Sequence, residues 1–504
     1  MRGACAAILV GGLALGAAPV GAQTWRFDPA ISIVETATSN VNLDPSNAKR
    51  SDLATQISPS LTFSEKGPRT HLEGGVSIPI LVYARTGAEN NRVYPSASVI
   101  GDVELVRNFF HVEGAIAVAQ QFFDPFGARP ADLSTATDNR YRTDTYRVSP
   151  YIQGVAPGNI SYELRNNNVW TNLSGAPITA NNSRYTEWTG NVANTTAQLG
   201  WLVNFDDTYV RFNDQSSIRT SLARFVPSYN VDPQLRLRAS VGYESNEYTL
   251  TSSRGTIYGA GFEWHPTDRT SAVANYEHRF FGASYLVSFD HRTPLSIWNV
   301  SASRNITTYP QQIGTLPAGL NVAGFVNGLF VSSIPDPAAR QQAVDEFMRQ
   351  RGLPAVLSNP IVLYGQQILL QEQQNATAGL IGARNVIVFS IFNVRNQPIA
   401  GSGDTLPPIL ALGNDNRQTG GSLVWTHNIG AGIAMNASLT GFRTVANPPG
   451  EAHTNQAVVN LGISMQFTPL TTVSAGARYQ VLVSDVSSDY TEVAAFVGLT
   501  HRFK

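Results

Sequence analysis

Apolar and polar residues alternate with a period of two over long stretches of this chain. In TSAVANYEHRF (270–280), Ala272, Ala274, Tyr276, His278 and Phe280 fall on one face, and Ser271, Val273, Asn275, Glu277 and Arg279 on the other. In LRLRASVGYES (235–245), Leu235, Leu237, Ala239, Val241 and Tyr243 oppose Arg236, Arg238, Ser240 and Glu244. AVVNLGISMQF (457–467) sets Leu461, Ile463 and Met465 against Asn460, Ser464 and Gln466. TTVSAGARYQV (471–481) sets Ala477 and Tyr479 against Arg478 and Gln480, and ISYELRN (160–166) sets Tyr162 and Leu164 against Glu163 and Arg165. This is the strand period. The runs last about ten residues or more, the length of a tilted strand crossing a bilayer rather than the five or six usual in soluble sheets.

The alternation assigns a solvent to each face. Leu237, Val241, Tyr243, Tyr276, Leu461, Ile463 and Tyr479 are expected to face lipid. Glu163, Arg165, Arg236, Arg238, Glu244, Asn275, Glu277, Arg279 and Arg478 are expected to face a water-filled lumen. Burying such charges on both sides of a strand would be costly without full pairing.

The connections are of two kinds. Short turns are read at Glu65–Pro68, Arg107–Asn108, Ala156–Asn159, Asp206–Thr208, Asp232–Gln234, His265–Arg269, Thr293–Ser296 and Thr468–Leu470. Between them lie mostly longer polar links, among them 37–52, 124–142, 171–185 and 396–415. Phe63, Phe109, Phe205, Tyr209, Trp264 and Phe467 gather beside the short turns, as in an interfacial aromatic girdle. The pattern predicts an all-β fold: a transmembrane antiparallel outer-membrane β-barrel of roughly 22 strands (about 18–24), with one helix-bearing insertion, extracellular or lumenal.

Composition sharpens this. The 504 residues carry a formal charge of −1, with 42% hydrophobic and only 14% charged residues, and a mean hydropathy of −0.11. Charge is well below the roughly 25% of soluble domains, and no basic patch suggests a nucleic-acid partner. Residues 1–22 have the shape of a secretory signal: Arg2, a small-aliphatic core, then Val20-Gly21-Ala22 before Gln23. The one cysteine, Cys5, lies within it, so the exported part, 23–504, is expected to lack disulfides and thiolate metal sites. Strand patterning begins at about Ala30, so no N-terminal plug domain is expected. The chain closes on AAFVGLTHRFK, with Phe503 in the place of an assembly signal, displaced from the end by Lys504.

One segment breaks the alternation, 309–371. Within it, IPDPAARQQAVDEFMRQRGLP predicts a helix. Asp336 caps it, Pro337 takes the first helical position, and Gly352 and Pro354 stop it. Ala343, Val344, Phe347 and Met348 form its apolar stripe. The segment is expected on the extracellular side, either decorating the loops or folding into the mouth.

This helix, together with AGLIGARNVIVFSIF (378–392) and YGAGFEWHPTDRTSAVANYEHRFFG (258–282), resembles the outer-membrane β-barrels associated with PEP-CTERM/exosortase systems of exopolysaccharide-producing proteobacteria. The resemblance extends over most of the exported chain. It implies an outer-membrane location in a Gram-negative bacterium, a link to polysaccharide export, and polysaccharide-export components as partners, and it supplies no catalytic residue. Outer-membrane lipid, lipopolysaccharide and the barrel-assembly machinery are the partners any such barrel implies.

Catalytic chemistry is not evident. The eight histidines are scattered without a ligand spacing, no phosphate loop occurs, and no cofactor or metal is expected. Asn213, Gln215 and Ser216 only faintly echo an outer-membrane phospholipase nucleophile. The expected function is a passive channel or export conduit with a polar lumen. The alternatives are a non-transporting structural or surface-interaction barrel, and, third, a barrel hydrolase.

Overall fold

The computed structural model describes residues 24–503, apart from 176–181, 196–197, 214–216, 249–251, 402–414, 431, 447–451 and most of 315–366, where only 322, 324, 327, 340, 344 and 360–362 are described. Twenty-four strand segments form one antiparallel sheet. Thr70–Ser77 and Ile80–Tyr83 both pair with Asp52–Lys66 and make one interrupted strand. Arg92–Val93 and Ser96–Val106 make another. The wall therefore has 22 strands. Each pairs with the next in sequence, and Thr24–Thr38 closes the ring on Tyr490–Arg502. Closure leaves no unpaired edge.

Connections at the end where Thr24 and Arg502 lie are tight: 67–69, 107–109, 157–159, 195–198, 231–234, 268–269, 293–295, 382–384 and 469–470. Asn108 (φ 54°), Gly158 (φ 85°) and Asn159 (φ 58°) turn the chain there in the left-handed region, which asparagine and glycine tolerate better than other residues. The longer connections, 39–51, 123–139, 309–366 and 402–415, all lie at the opposite end, called here the far end.

Several readings change. Asp206–Thr208 is not a turn; it lies within Leu199–Phe212. Asp206 and Asp207 sit on opposite faces, and Asp207 is held by Arg219 at 3.0 Å and by the Ser221 hydroxyl on the next strand. Phe205 and Tyr209 are therefore mid-strand residues rather than part of a girdle by a turn. Phe205 lies across from Gly190, where a Cβ would meet its ring at 1.8 Å, so the aromatic ring occupies the space the glycine leaves open. The helix-bearing insertion ends at 366 rather than 371, because Gln367–Ile381 is a wall strand. The first wall strand begins at Thr24, before Ala30.

The signal, 1–22, lies outside the described residues, as do Asp336, Pro337, Phe347, Met348 and Gly352 of the expected helix. Arg340 and Val344 are helical, and Val344 is buried. No described helix is long and apolar enough to cross a membrane.

Candidate functional site

The two faces of the wall differ as the alternation requires. Leu237, Val241, Tyr243, Tyr276, Leu461, Ile463 and Tyr479 are all exposed, from 45% for Tyr479 to 57% for Leu461. The charged residues named on the opposite face are less exposed and are paired along or across strands. Arg165 reaches Glu163 at 3.1 Å and Glu113 at 3.6 Å, and lies over the Tyr151 ring at 3.9 Å. Arg147 also meets Glu113. Arg224 meets Glu277 at 3.1 Å, and Arg236 and Arg238 share Glu263. Asn275 covers Gly261 on the adjoining strand. Two pairs are wholly buried: Arg279–Glu244 at 2.6 Å and Arg478–Glu492 at 2.8 Å. The inner face is thus polar and many of its charges are paired, while among the described residues Glu187 and Asp206 are held by Asn167 and the Thr208 hydroxyl rather than by a cation. Phe503 is exposed, and its N–H continues the closing seam by donating to the Pro29 carbonyl at 2.9 Å.

At the far end the interior is crossed. Strand Ser296–Thr308, fifteenth in the wall, runs into the short helix Tyr309–Gly314. This helix packs against the sixth and seventh strands of the ring: Tyr309 OH lies 3.1 Å from Tyr141 OH of the sixth strand, and Tyr309, Ile313 and Val362 pack with Leu173 of the seventh. The neighbouring residue, Ile361, is bound to Gln418 of Asn416–Gly430, the eighteenth strand. The seventh and eighteenth strands stand eleven apart in a ring of 22, so the bridge follows a diameter. A second cluster joins Val169, Tyr185, Val210, Phe212 and Ile218 to Ile368 of the sixteenth strand. Following the wall from Ile218 to Ile368 would take about 29 Å at the usual strand spacing, so this contact too passes through the interior.

Loop 123–139 folds inward from between the fifth and sixth strands onto the eighteenth to twenty-second. The Thr444 hydroxyl donates to the Pro125 carbonyl at 2.9 Å, Thr454 to the Phe126 carbonyl at 3.2 Å, and the Gln456 amide to the Arg129 carbonyl at 2.5 Å. Arg129 lies over the Phe442 ring at 5.0 Å and donates to Gln418 at 3.3 Å. Burial lowers its pKa to about 10, partly offset by Asp124, so it stays charged at neutral pH. Burial also raises the Asp124 carboxyl above its usual range. Farther along, Arg478 holds Asp132 and the Ser134 hydroxyl. The loop and the insertion therefore meet at one side chain, Gln418. Between them a cavity of about 330 Å³ remains, lined by Gln120, Phe122, Arg129, Ile361, Phe442 and Asn460 among others.

This interior packing is not visible in the sequence. Loop 123–139 looks like any polar link, and its anchors are Thr, Gln and Ser residues hundreds of positions away. Among the described residues no group of three or more His, Cys, Asp or Glu converges to hold a metal.

These features define the class: a closed antiparallel barrel of outer-membrane architecture whose lumen is crossed at one end. No protein-family model matches the sequence, and no curated protein matches it. Among solved structures, the chain is similar to the FrpB iron transporter from Neisseria meningitidis, with 9% identity over 94% of this chain and 81% of that one and a TM-score of 0.49. It is similar to a mutant of the ferric enterobactin receptor PfeA from Pseudomonas aeruginosa, with 8% identity over 95% and 80% and a TM-score of 0.46. It is also similar to OpdK from Pseudomonas aeruginosa, solved with vanillate, with 9% identity over 95% and 99% and a TM-score of 0.35. These likenesses are general, and no cargo passes from those proteins to this chain.

Proposed function

We propose that this protein spans the outer membrane of a Gram-negative bacterium and is a gated conduit for a hydrophilic solute, with the far end extracellular. The membrane assignment is supported by the exposed apolar rows. Val241 is 55% exposed and Leu461 57%, and leaving such rows in water would forfeit about 25 cal/mol for each Å² of apolar surface. The single observation that carries the gating reading is the diametric bridge from Leu173 through Tyr309, Ile313, Val362 and Ile361 to Gln418. Barrels of about this size have a wide bore that is usually plugged.

The compensated inner charges suit a polymer or sugar better than a selected small ion. Glu113, Glu263, Glu244, Glu277 and Glu492 are each answered by arginine, which weakens the field that would discriminate by sign. On that ground, and on the resemblance to exopolysaccharide-linked barrels, the proposed cargo is an envelope polysaccharide or its precursor, delivered by polysaccharide-export components.

Disrupting the gene in its own host tests the cargo. The expected result is loss of surface polysaccharide, restored by the intact gene. Undiminished surface polysaccharide would remove this cargo. If the bridge instead made a permanent seal, the barrel would be a surface scaffold, and vesicles carrying it would not swell in any sugar solution.

A further inference from the structure

The outward face at the far end carries an arginine cluster that the transport reading does not use. Arg304, Glu372, Arg395 and Arg417 stand in register on four successive strands, each directly opposite the next. Arg443 joins them from the following strand, opposite Thr419. All face outward. Their chain neighbours Val394, Asn396, Gln418 and Thr444 are buried on the inner side, and Val300, Ile391, Leu423 and Leu439, on the same face as the arginines, are exposed.

Arg304, Arg395 and Arg443 each lie four residues beyond an exposed apolar side chain: Val300, Ile391 and Leu439. That is about 13 Å along a strand. The arginines thus sit just past the apolar surface, at the level where a bilayer's headgroups begin.

The arginines of the cluster form no ion pair among the described residues: none of Arg304, Arg395, Arg417 and Arg443 has a carboxylate within ion-pair distance. The buried Nε of Arg395 has no hydrogen-bond partner. Glu372, the one acid in the row, is occupied by the Tyr285 hydroxyl at 3.0 Å and the Gln374 amide at 3.3 Å. Arg395 directly opposite Arg417 is a like-charge pair, which destabilises a sheet unless something answers it. Beside the arginines runs an ordered polar row: Asn393 donates to Gln374 at 3.2 Å, and Thr419 donates to Asn393 at 3.0 Å.

We propose that this surface binds the phosphate groups of a phosphorylated glycolipid of the outer leaflet. Guanidinium forks match phosphate oxygens in pairs, and the Gln374–Asn393–Thr419 row offers donors and acceptors to the sugar between them. The proposal rests on the outer-membrane reading but not on transport. It commits to a lipid because exposed apolar side chains lie about 13 Å from the arginines on the same face, and acyl chains would cover them where a free phosphate would not.

The test uses the detergent-folded full chain and purified lipid A. Bisphosphorylated lipid A, dephosphorylated lipid A and inorganic phosphate are compared as probes, and affinity is read by native mass spectrometry or microscale thermophoresis. The expected result is binding of bisphosphorylated lipid A that weakens at least about tenfold in R395Q/R417Q/R443Q and by a similar factor when the phosphates are absent. Inorganic phosphate at the same concentration should not compete. Heat-modifiability on gels shows whether the variant is folded. If it does not assemble, the comparison of the two lipids on the unaltered chain decides. Equal affinity for both lipids, full competition by inorganic phosphate, or unchanged binding by the folded variant would each overturn the proposal. Failure of the unaltered chain to be heat-modifiable would strike the barrel reading instead.

Discussion

Gln418 holds the backbone of Ile361 from both sides. Its side-chain carbonyl accepts the Ile361 N–H at 2.9 Å, and its amide donates to the Ile361 carbonyl at 3.1 Å. A side-chain amide pairing with a main-chain amide in this way imitates one rung of a sheet. It fixes the end of the insertion to a wall strand eleven places from the strand that Val362 packs against.

Replacing Gln418 by Leu should release this latch. Leucine keeps the volume but leaves the Ile361 N–H and carbonyl without partners, which costs about 1–3 kcal/mol for a buried group. The Ile361 amide should then exchange with deuterium at least about tenfold faster, since 1.4 kcal/mol is a factor of ten. Unchanged exchange at Ile361 would show that the latch does not hold the bridge.

The facing of the wall can be tested at two adjacent positions. Val241→Arg places a charge in lipid and should cost about 2–4 kcal/mol near the bilayer midplane, while Ser240→Arg should cost far less. Urea unfolding of vesicle-inserted protein reads both. Equal losses would mean that strand Leu235–Tyr248 is buried on two sides.

The buried pair Arg478–Glu492 gives a sharper effect. Arg478→Ala leaves Glu492 enclosed without its cation and takes a partner from Asp132. A loss of about 3–5 kcal/mol is expected, with loop 123–139 becoming susceptible to protease. The exposed pair Arg26–Asp28 should contribute no more than about 1 kcal/mol. Similar losses at the two sites would contradict the packing described for the loop.

Gly190→Ala should destabilise by about 1–3 kcal/mol through overpacking against Phe205, and Phe205→Ala in the same chain should recover part of it. A neutral Gly190→Ala in urea unfolding would mean that the ring does not lie over the glycine.

The wall was legible because it is one strand thick. Each residue has only two surroundings to choose between, so Tyr276 and Glu277 reveal their faces from order alone. The same logic failed at Asp206–Thr208, where two acids in succession look like a turn. There Arg219 and Ser221 of the next strand hold Asp207 on the outer face, a pairing that no local pattern displays. The interior was illegible for a related reason. Arg129, Gln418, Thr444 and Gln456 come together only because the ring closes, and each is an ordinary polar residue in its own segment. The outward arginines were equally hidden, since Arg395 and Arg417 become neighbours only through strand register.

The central claim is that the bridge made by Tyr309, Ile313, Ile361 and Val362 obstructs the far end of the conduit. Single-channel conductance in a planar bilayer tests it directly, comparing the full chain with a variant in which a short Gly-Ser loop joins Thr308 to Gln367. Both proteins must first be heat-modifiable, as folded barrels are. The account predicts that the deletion raises conductance, because it removes Tyr309, Ile313, Ile361 and Val362 from the diameter of the lumen. Equal conductance from the two assembled proteins would contradict it.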